Sequence, residues 1–312
     1  MFNHLIGLVY PVFLLQNFIP QLANMSSWYI SIIKFLPGHI FVCMIGNYKL
    51  NLHILEKCNH HCGFCFAHYH LNNFMNLDDS YKVIEKAAES KMFYEVNIAG
   101  GEPLMFPKIE KVIQHIKDCN MNVSIITNGS LLDEEMLDKF LHNLTTIGFS
   151  IHSFNERTNQ ALGCCTSDGK TLKLEKLIRV CDYIKKNSDC KIKLNTTVNS
   201  MNKNELMAPI IKRLPYSRYK ILKCQEYENN KRFCVSDQEF ENFCKINGNL
   251  PNAVIEKDMH STYIMVNPAG DLIQNHPTKP EYTTLGSALN DNFLELLKKL
   301  PLNEELYRTR YN

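Results

Sequence analysis

The chain has 312 residues, 45% hydrophobic and 21% charged, the balance of a protein that buries a core and not of a disordered one. Thirty-four Lys and Arg against 32 Asp and Glu leave a formal charge of +2, which argues against a broad nucleic-acid surface while allowing a local basic pocket for a small anion. Twelve cysteines at irregular spacing do not form the dense framework of a small secreted domain, and read as free thiols of a reducing, cytoplasmic compartment.

In chain order, the first 43 residues carry no Asp or Glu and one Lys, Lys34. Pro11, Pro20 and Pro37 interrupt them before any run reaches the roughly 18 apolar residues that a spanning helix needs. Neither the positive start nor the small-residue cleavage site of a secretory signal is clear. Residues 1–45 therefore read as a hydrophobic extension, either an anchor on a membrane surface or non-native translated sequence ahead of a start at Met44, with membrane contact expected only if it is native.

From about residue 46 strand and helix patterns alternate. Apolar or β-branched runs at 51–55, 95–99, 122–127, 145–151, 191–198 and 219–223 predict strands. Helical periodicity lies between them: 77–90 with Asp78 or Asp79 as N-cap, 107–119 with Pro107 in the first turn, 132–141, 173–186 and 204–214. This is an α/β fold with a parallel sheet, curled or open, whose ligands sit at the carboxyl ends of the strands. The mixed remainder predicts a helix near 236–246, a two-stranded element from TYIMVN and DLIQN around Pro268, Ala269 and Gly270, and a C-terminal helix.

The chemistry-bearing residues fall at strand ends. EKCNHHCGFCFAH sets Cys58, Cys62 and Cys65 in the loop after the first strand. Three thiolates are one short of a closed zinc site or a fully protein-ligated 4Fe–4S cluster. Either His60, His61, His68 or His70 completes a zinc knuckle, or the site is left open. In NIAGGEPL, Gly100 and Gly101 allow close backbone approach to a ligand, and Glu102 can accept from an ammonium. Asn128 and Gly129 end the third strand and Ser150 the fourth. Lys193 with Asn195, Arg218 with Lys220, and Asn51 with His53 are each two apart and so share one strand face, and cations gathered on a cavity call for an anion such as a nucleoside triphosphate.

CxxxCxxC before a βα pattern resembles the radical S-adenosylmethionine (SAM) enzymes, and among them the viperin family of nucleotide dehydratases over about residues 51 to 275. NLHILEKCNHHCGFCF is similar to that family's N-x-H-x-x-x-x-C-N-x-x-C-G-F-C-F, TNGS to its SNGS, IKLNTTVN to its IKINSVIN, RYKILKC to its RWKVFQC and STYIMVN to its DSYLILD. The resemblance implies a partial (βα)6 barrel over 46–224 and a C-terminal α+β extension over 225–312 that covers the substrate site. It implies a 4Fe–4S cluster on Cys58, Cys62 and Cys65, with SAM against Phe64, Gly100, Gly101, Glu102, Asn128 and Ser150. A triphosphate substrate (CTP, UTP or GTP) would lie on Asn51, His53, Lys193, Asn195, Arg218 and Lys220. The implied reaction removes hydrogen from C4′ of CTP with a 5′-deoxyadenosyl radical, expels the 3′ hydroxyl as water, and ends with one electron and one proton. The product is 3′-deoxy-3′,4′-didehydro-CTP, a chain terminator of antiviral use. Tyr263 is the implied hydrogen donor, and flavodoxin or ferredoxin the implied electron donor.

Two positions depart from the pattern: Cys164 replaces an arginine expected to pair with the SAM carboxylate, and His152 replaces an aspartate. Both imply a weaker hold on SAM unless His152 supplies part of the lost charge. No cysteine follows Cys244, and Cys224, Cys234 and Cys244 lack metal spacing, so one cluster is expected. The competing functions are a radical enzyme acting on another nucleotide or a cofactor precursor, and a non-catalytic Fe–S or zinc interaction protein.

Overall fold

A computed structural model describes residues 8–11, 29–36, 39–67, 69–71, 74–227, 230–276, 279 and 281–311. Within the N-terminal extension, β1 (Leu8–Pro11), β2 (Tyr29–Leu36) and β3 (His39–Ile45) pair antiparallel in the order β1-β3-β2. These strands were not expected; the β-branched and aromatic run YISIIKFL carries their signal. The rest of that extension, with Pro20 and Pro37, lies outside the described residues, as does His68.

The expected alternation follows: β4 (Tyr48–Leu55), α1 (Leu77–Glu89), β5 (Phe93–Gly100), α2 (Ile109–Asp118), β6 (Asn122–Thr127), α3 (Glu134–Asp138), β7 (Thr146–Ser150), α4 (Glu156–Leu162), α5 (Leu174–Asn187), β8 (Lys191–Val198), α6 (Ala208–Ile211) and β9 (Arg218–Lys223). The C-terminal part adds α7 (Asp237–Asn247), β10 (Ala253–Glu256), β11 (Ile264–Val266), β12 (Asp271–Asn275), β13 (Tyr282–Ser287), α8 (Phe293–Lys298) and α9 (Glu304–Tyr311).

Several boundaries differ from the sequence reading, each for a local reason. The α1 cap is Asn76, whose side chain accepts from the Asp79 N–H at 2.8 Å, so Asp78 and Asp79 sit in the first turn, where they complement the helix dipole. Pro107 precedes the α2 cap, Lys108, which is left-handed at φ 64°. Helix α6 is a single turn around Pro209. Helix α4, capped by Asn155, was missed, as was β10. The expected two-stranded element gains a third strand, and the expected terminal helix is two helices.

The main sheet has the order β10-β9-β8-β7-β6-β5-β4-β11-β12-β13, with β4 through β10 parallel and β11 parallel to β4. Strands β10 and β11 lie seven strand spacings apart, about 34 Å in a flat sheet. The chain from Glu256 to Ile264 reaches at most about 29 Å. The sheet is therefore curled into an open barrel. Side chains alternate along each strand, and one set packs under the helices: Leu50, Leu52 and Ile54, Val96 and Ile98, Val123 and Ile125, Ile147 and Phe149, Ile192 and Leu194, Tyr219 and Ile221. The other set is mostly polar, with Ala99, Ile126 and Leu222 among it, and faces the lumen. No helix among the described residues is long and apolar enough to cross a membrane.

Ile98 lies in the middle of this sheet and is fully buried. Ile98→Ala should lower unfolding stability by about 2–5 kcal/mol, read as a reduced urea midpoint with an unchanged slope.

Candidate active site

The inward faces enclose a cavity of about 260 Å³. Of the residues singled out in the sequence, Asn51, His53, Cys58, Cys62, Phe64, Cys65, Gly100, Gly101, Asn128, Ser150, Lys193, Asn195, Lys220 and Tyr263 all line it. Glu102 and Arg218 do not.

At the carboxyl end, β5 is docked onto the start of the cysteine loop. The Gly101 N–H donates to the Leu55 carbonyl at 2.8 Å and the Glu102 N–H to that of Lys57 at 3.0 Å. A Cβ on Gly101 would meet the Lys57 oxygen at 2.2 Å, and one on Gly100, at φ 127°, the Leu55 oxygen at 2.3 Å. The close approach that these glycines allow is thus to the chain's own loop, with the ligand cavity beside it. Backbone N–H groups already point at two sulfurs: His60 at Cys58 (3.3 Å) and Ala67 at Cys65 (3.4 Å). Burial pushes the Cys65 thiol up to about 12, so it keeps its proton until a metal displaces it. Among the described residues no three His, Cys, Asp or Glu side chains converge on a single-ion site. The three thiols open separately onto the cavity.

Glu102 is fully buried, and its carboxylate serves the fold. It accepts from Thr127 Oγ1 at 2.7 Å and from the backbone N–H groups of Asn128 at 2.8 Å and Leu104 at 3.1 Å. Even so, burial raises it to about 7. His152 presents Nδ1 to the Thr197 N–H at 3.1 Å and its ring to Phe64, centroids 4.7 Å apart. Burial, and then the neighbouring His60, bring it down to about 4, so it is neutral and does not replace the missing arginine charge.

Deeper in the lumen, cations and acids pair off. Lys220 is bonded to Glu256, which also takes Arg310 at 2.9 Å, and Lys49 meets Glu95 at 2.7 Å. Arg218 does not line the cavity: it donates to the Arg310 carbonyl at 2.5 Å, while its charge still acts on Lys193 and Lys220. Lys193 keeps no ion pair or hydrogen bond among the described residues. Burial, reinforced by Lys220 and Lys49, holds its pKa well below the ordinary lysine value. Beside it on β8, Asn195 Oδ1 is buried without a partner. The Tyr263 ring lies 4.0 Å from the Arg310 guanidinium, and burial keeps its phenol protonated far above pH 10.

Lys49, Glu256, Arg310 and Tyr311 were not foreseen. Lys49 extends the 51, 53 alternation on β4 and was within reach of that argument. The other three come from the C-terminal segment, where no periodic pattern points at the lumen.

A curled parallel sheet with three thiols at its carboxyl mouth is the architecture of the radical SAM superfamily, whose family model matches residues 52–206. Streptococcus suis SuiB bound to S-adenosylmethionine shares the fold at a TM-score of 0.62 and 14% identity, covering 94% of this chain and 71% of that one. An S-adenosylmethionine-dependent nucleotide dehydratase of Selenomonas ruminantium is 31% identical over 272 residues, spanning 85% of this chain and 98% of the relative. The enzyme of that name, RSAD2, from Oncorhynchus mykiss is 28% identical over 235 residues, 70% of this chain and 66% of the relative. The chain belongs to the viperin family, the S-adenosylmethionine-dependent nucleotide dehydratases. Its cofactors are a 4Fe–4S cluster and SAM. The residues present fit them: three cavity-lining thiols, N–H groups aimed at two of the sulfurs, and a buried His60 Nε2 with no partner beside them.

The raised Glu102 sets a pH dependence of stability. Between about 4.5 and 7 the unfolded carboxyl is ionised while the folded one keeps its proton, so stability falls as pH rises through that window and levels off above it. Glu102→Gln removes the titration. Its urea midpoint should fall less than that of the unsubstituted protein between pH 5 and 7.

Proposed function

We propose that the protein is a radical SAM dehydratase that converts a ribonucleoside triphosphate, CTP in our reading, into its 3′-deoxy-3′,4′-didehydro analogue, a chain terminator with an antiviral role. The observation that carries this is the Lys193 amine, which has no ion pair or hydrogen bond among the described residues, and the unpartnered Asn195 Oδ1, both opening on the same cavity as the three thiols. Burial and the neighbouring cations disfavour the charged form of Lys193, and a triphosphate oxygen beside it would restore that form. When bound, the cluster and SAM supply a 5′-deoxyadenosyl radical able to remove hydrogen from the sugar.

The chain's own side chains do the rest. Cys58, Cys62 and Cys65 hold the cluster, while Phe64, Gly100, Gly101, Asn128 and Ser150 form the walls against SAM, with Glu102 holding the Asn128 loop in place. Lys193 and Asn195 bind phosphate and Lys220 adds field from its pair with Glu256. Arg218 supports this end through α9 rather than by contact. Asn51 and His53 wall the nucleoside; burial holds His53 at about 4, so it is neutral and offers hydrogen bonds without charge. Met259, Tyr263 and Tyr311, from residues 225–312, cover the site and keep water out. The electron comes from a donor such as flavodoxin or ferredoxin, in the cytoplasm.

Tyr263, protonated and on the cavity wall, is the proposed source of the final hydrogen atom. Anaerobic reconstitution with SAM, dithionite and each of the four ribonucleoside triphosphates should give 5′-deoxyadenosine and a product lighter by one water. Absence of that product with all four would overturn the assignment. Tyr263→Phe keeps the ring under Arg310, and should leave 5′-deoxyadenosine formation while cutting the didehydro product at least tenfold. Equal yields of the two at the native rate would make Tyr263 a packing residue.

A further inference from the structure

Cys164, where the family resemblance calls for an arginine, is buried within 3.5 Å of the Cys62 sulfur. Two backbone hydrogen bonds fix that contact. The His61 N–H donates to the Gly163 carbonyl and the Gly63 N–H to that of Leu162, both at 3.0 Å, so the end of α4 is laced to the cysteine loop on either side of Cys62. Gly163 makes the fit possible: it caps α4 in the left-handed region at φ 75°, and a Cβ there would meet the His61 oxygen at 2.3 Å. The Cys164 N–H is tied to the Asn159 carbonyl at 2.8 Å, which fixes its backbone beside the cysteine loop. Phe64, Leu162 and Phe233 surround the pair with apolar surface.

Without iron, the Cys62 thiol can be the donor of this contact. A sulfur bound to iron has no proton left to give. Of the two groups, Cys164 alone then carries an S–H, in a surrounding too apolar for water to compete. We propose that the Cys164 thiol donates a hydrogen bond to the Cys62 sulfur when Cys62 ligates the cluster, and so raises the cluster's reduction potential. An added electron increases the negative charge on the ligating sulfurs, and a donor at one of them stabilises the reduced form more than the oxidised one; hydrogen bonds to sulfur are among the recognised determinants of such potentials. Cys164 is a positioning and tuning residue, not a ligand. The proposal rests on the cluster being held by Cys58, Cys62 and Cys65.

The test is an EPR-monitored redox titration of reconstituted protein, with iron and sulfide measured first. Cys164→Ala should keep a full cluster and shift its midpoint to a more negative value, while Cys164→Ser, which retains a donor, should stay nearer the unsubstituted protein. Cys244→Ala should not move it. An unchanged midpoint in an iron-replete Cys164→Ala protein would overturn the proposal. Should that variant lose iron, resonance Raman of the unsubstituted protein decides: exchange into D2O should shift the iron–thiolate stretching bands, and bands indifferent to exchange would count against the hydrogen bond. A full chain that takes up no iron would instead overturn the cofactor assignment beneath it.

Discussion

The site depends on a backbone contact that no side chain could replace. The carboxyl ends of β4 and β5 approach until the carbonyls of Leu55 and Lys57 occupy the space in which Gly100 and Gly101 would carry Cβ atoms. That approach sets where the cysteine loop leaves the sheet. Glu102 follows at once and ties the end of β6 to the same place through Thr127 and Asn128. Three strand ends are thereby held in register around the thiols. The cost is a carboxyl group removed from water, visible in its raised pKa.

At the other pole of the cavity, the chain manages charge instead of backbone. Four cations and two carboxylates are gathered there, and Glu256 alone serves both Lys220 and Arg310. Pairs of this kind add little net stability when buried, but they decide which charge stays uncompensated. Lys193 is the one of these four cations with no ion pair among the described residues. Burial first, then Lys220 on β9 and Lys49 on β4, lower its pKa, and an arriving anion would raise it again, so ligand charge and lysine protonation are coupled.

Much of this was legible because it follows short-range rules. The period-two spacing of Asn51 with His53 and of Lys193 with Asn195 placed all four on the lumen, and the cysteine spacing placed the thiols at its mouth. Arg218 obeyed the same period and still does not line the cavity, because its partner, the Arg310 carbonyl, is 92 residues away in sequence and no local pattern reports it. Helix caps went wrong where two eligible residues were adjacent: Asn76 captured α1 ahead of Asp78 and Asp79. Strand β10 is four residues long, too short for periodicity to register, whereas the helical pattern read at 204–214 shrinks to the single turn of α6.

The way the C-terminal segment extends the sheet beyond β4 bears on the order of events during synthesis. Strand β4 leaves the ribosome early, but its second neighbour, β11, lies more than 200 residues later in the chain, as the 213-residue separation between Asn51 and Ile264 records. Until that partner emerges, β4 presents a row of unpaired N–H and C=O groups, the kind of edge on which nascent chains pair wrongly with one another. The polar lumen face of β4, with Lys49, Asn51 and His53, makes its exposed surface less sticky during that interval. A sequence pattern needed by the finished site thus also protects the unfinished chain, and chaperone demand should concentrate in the window between completion of β9 and arrival of β11.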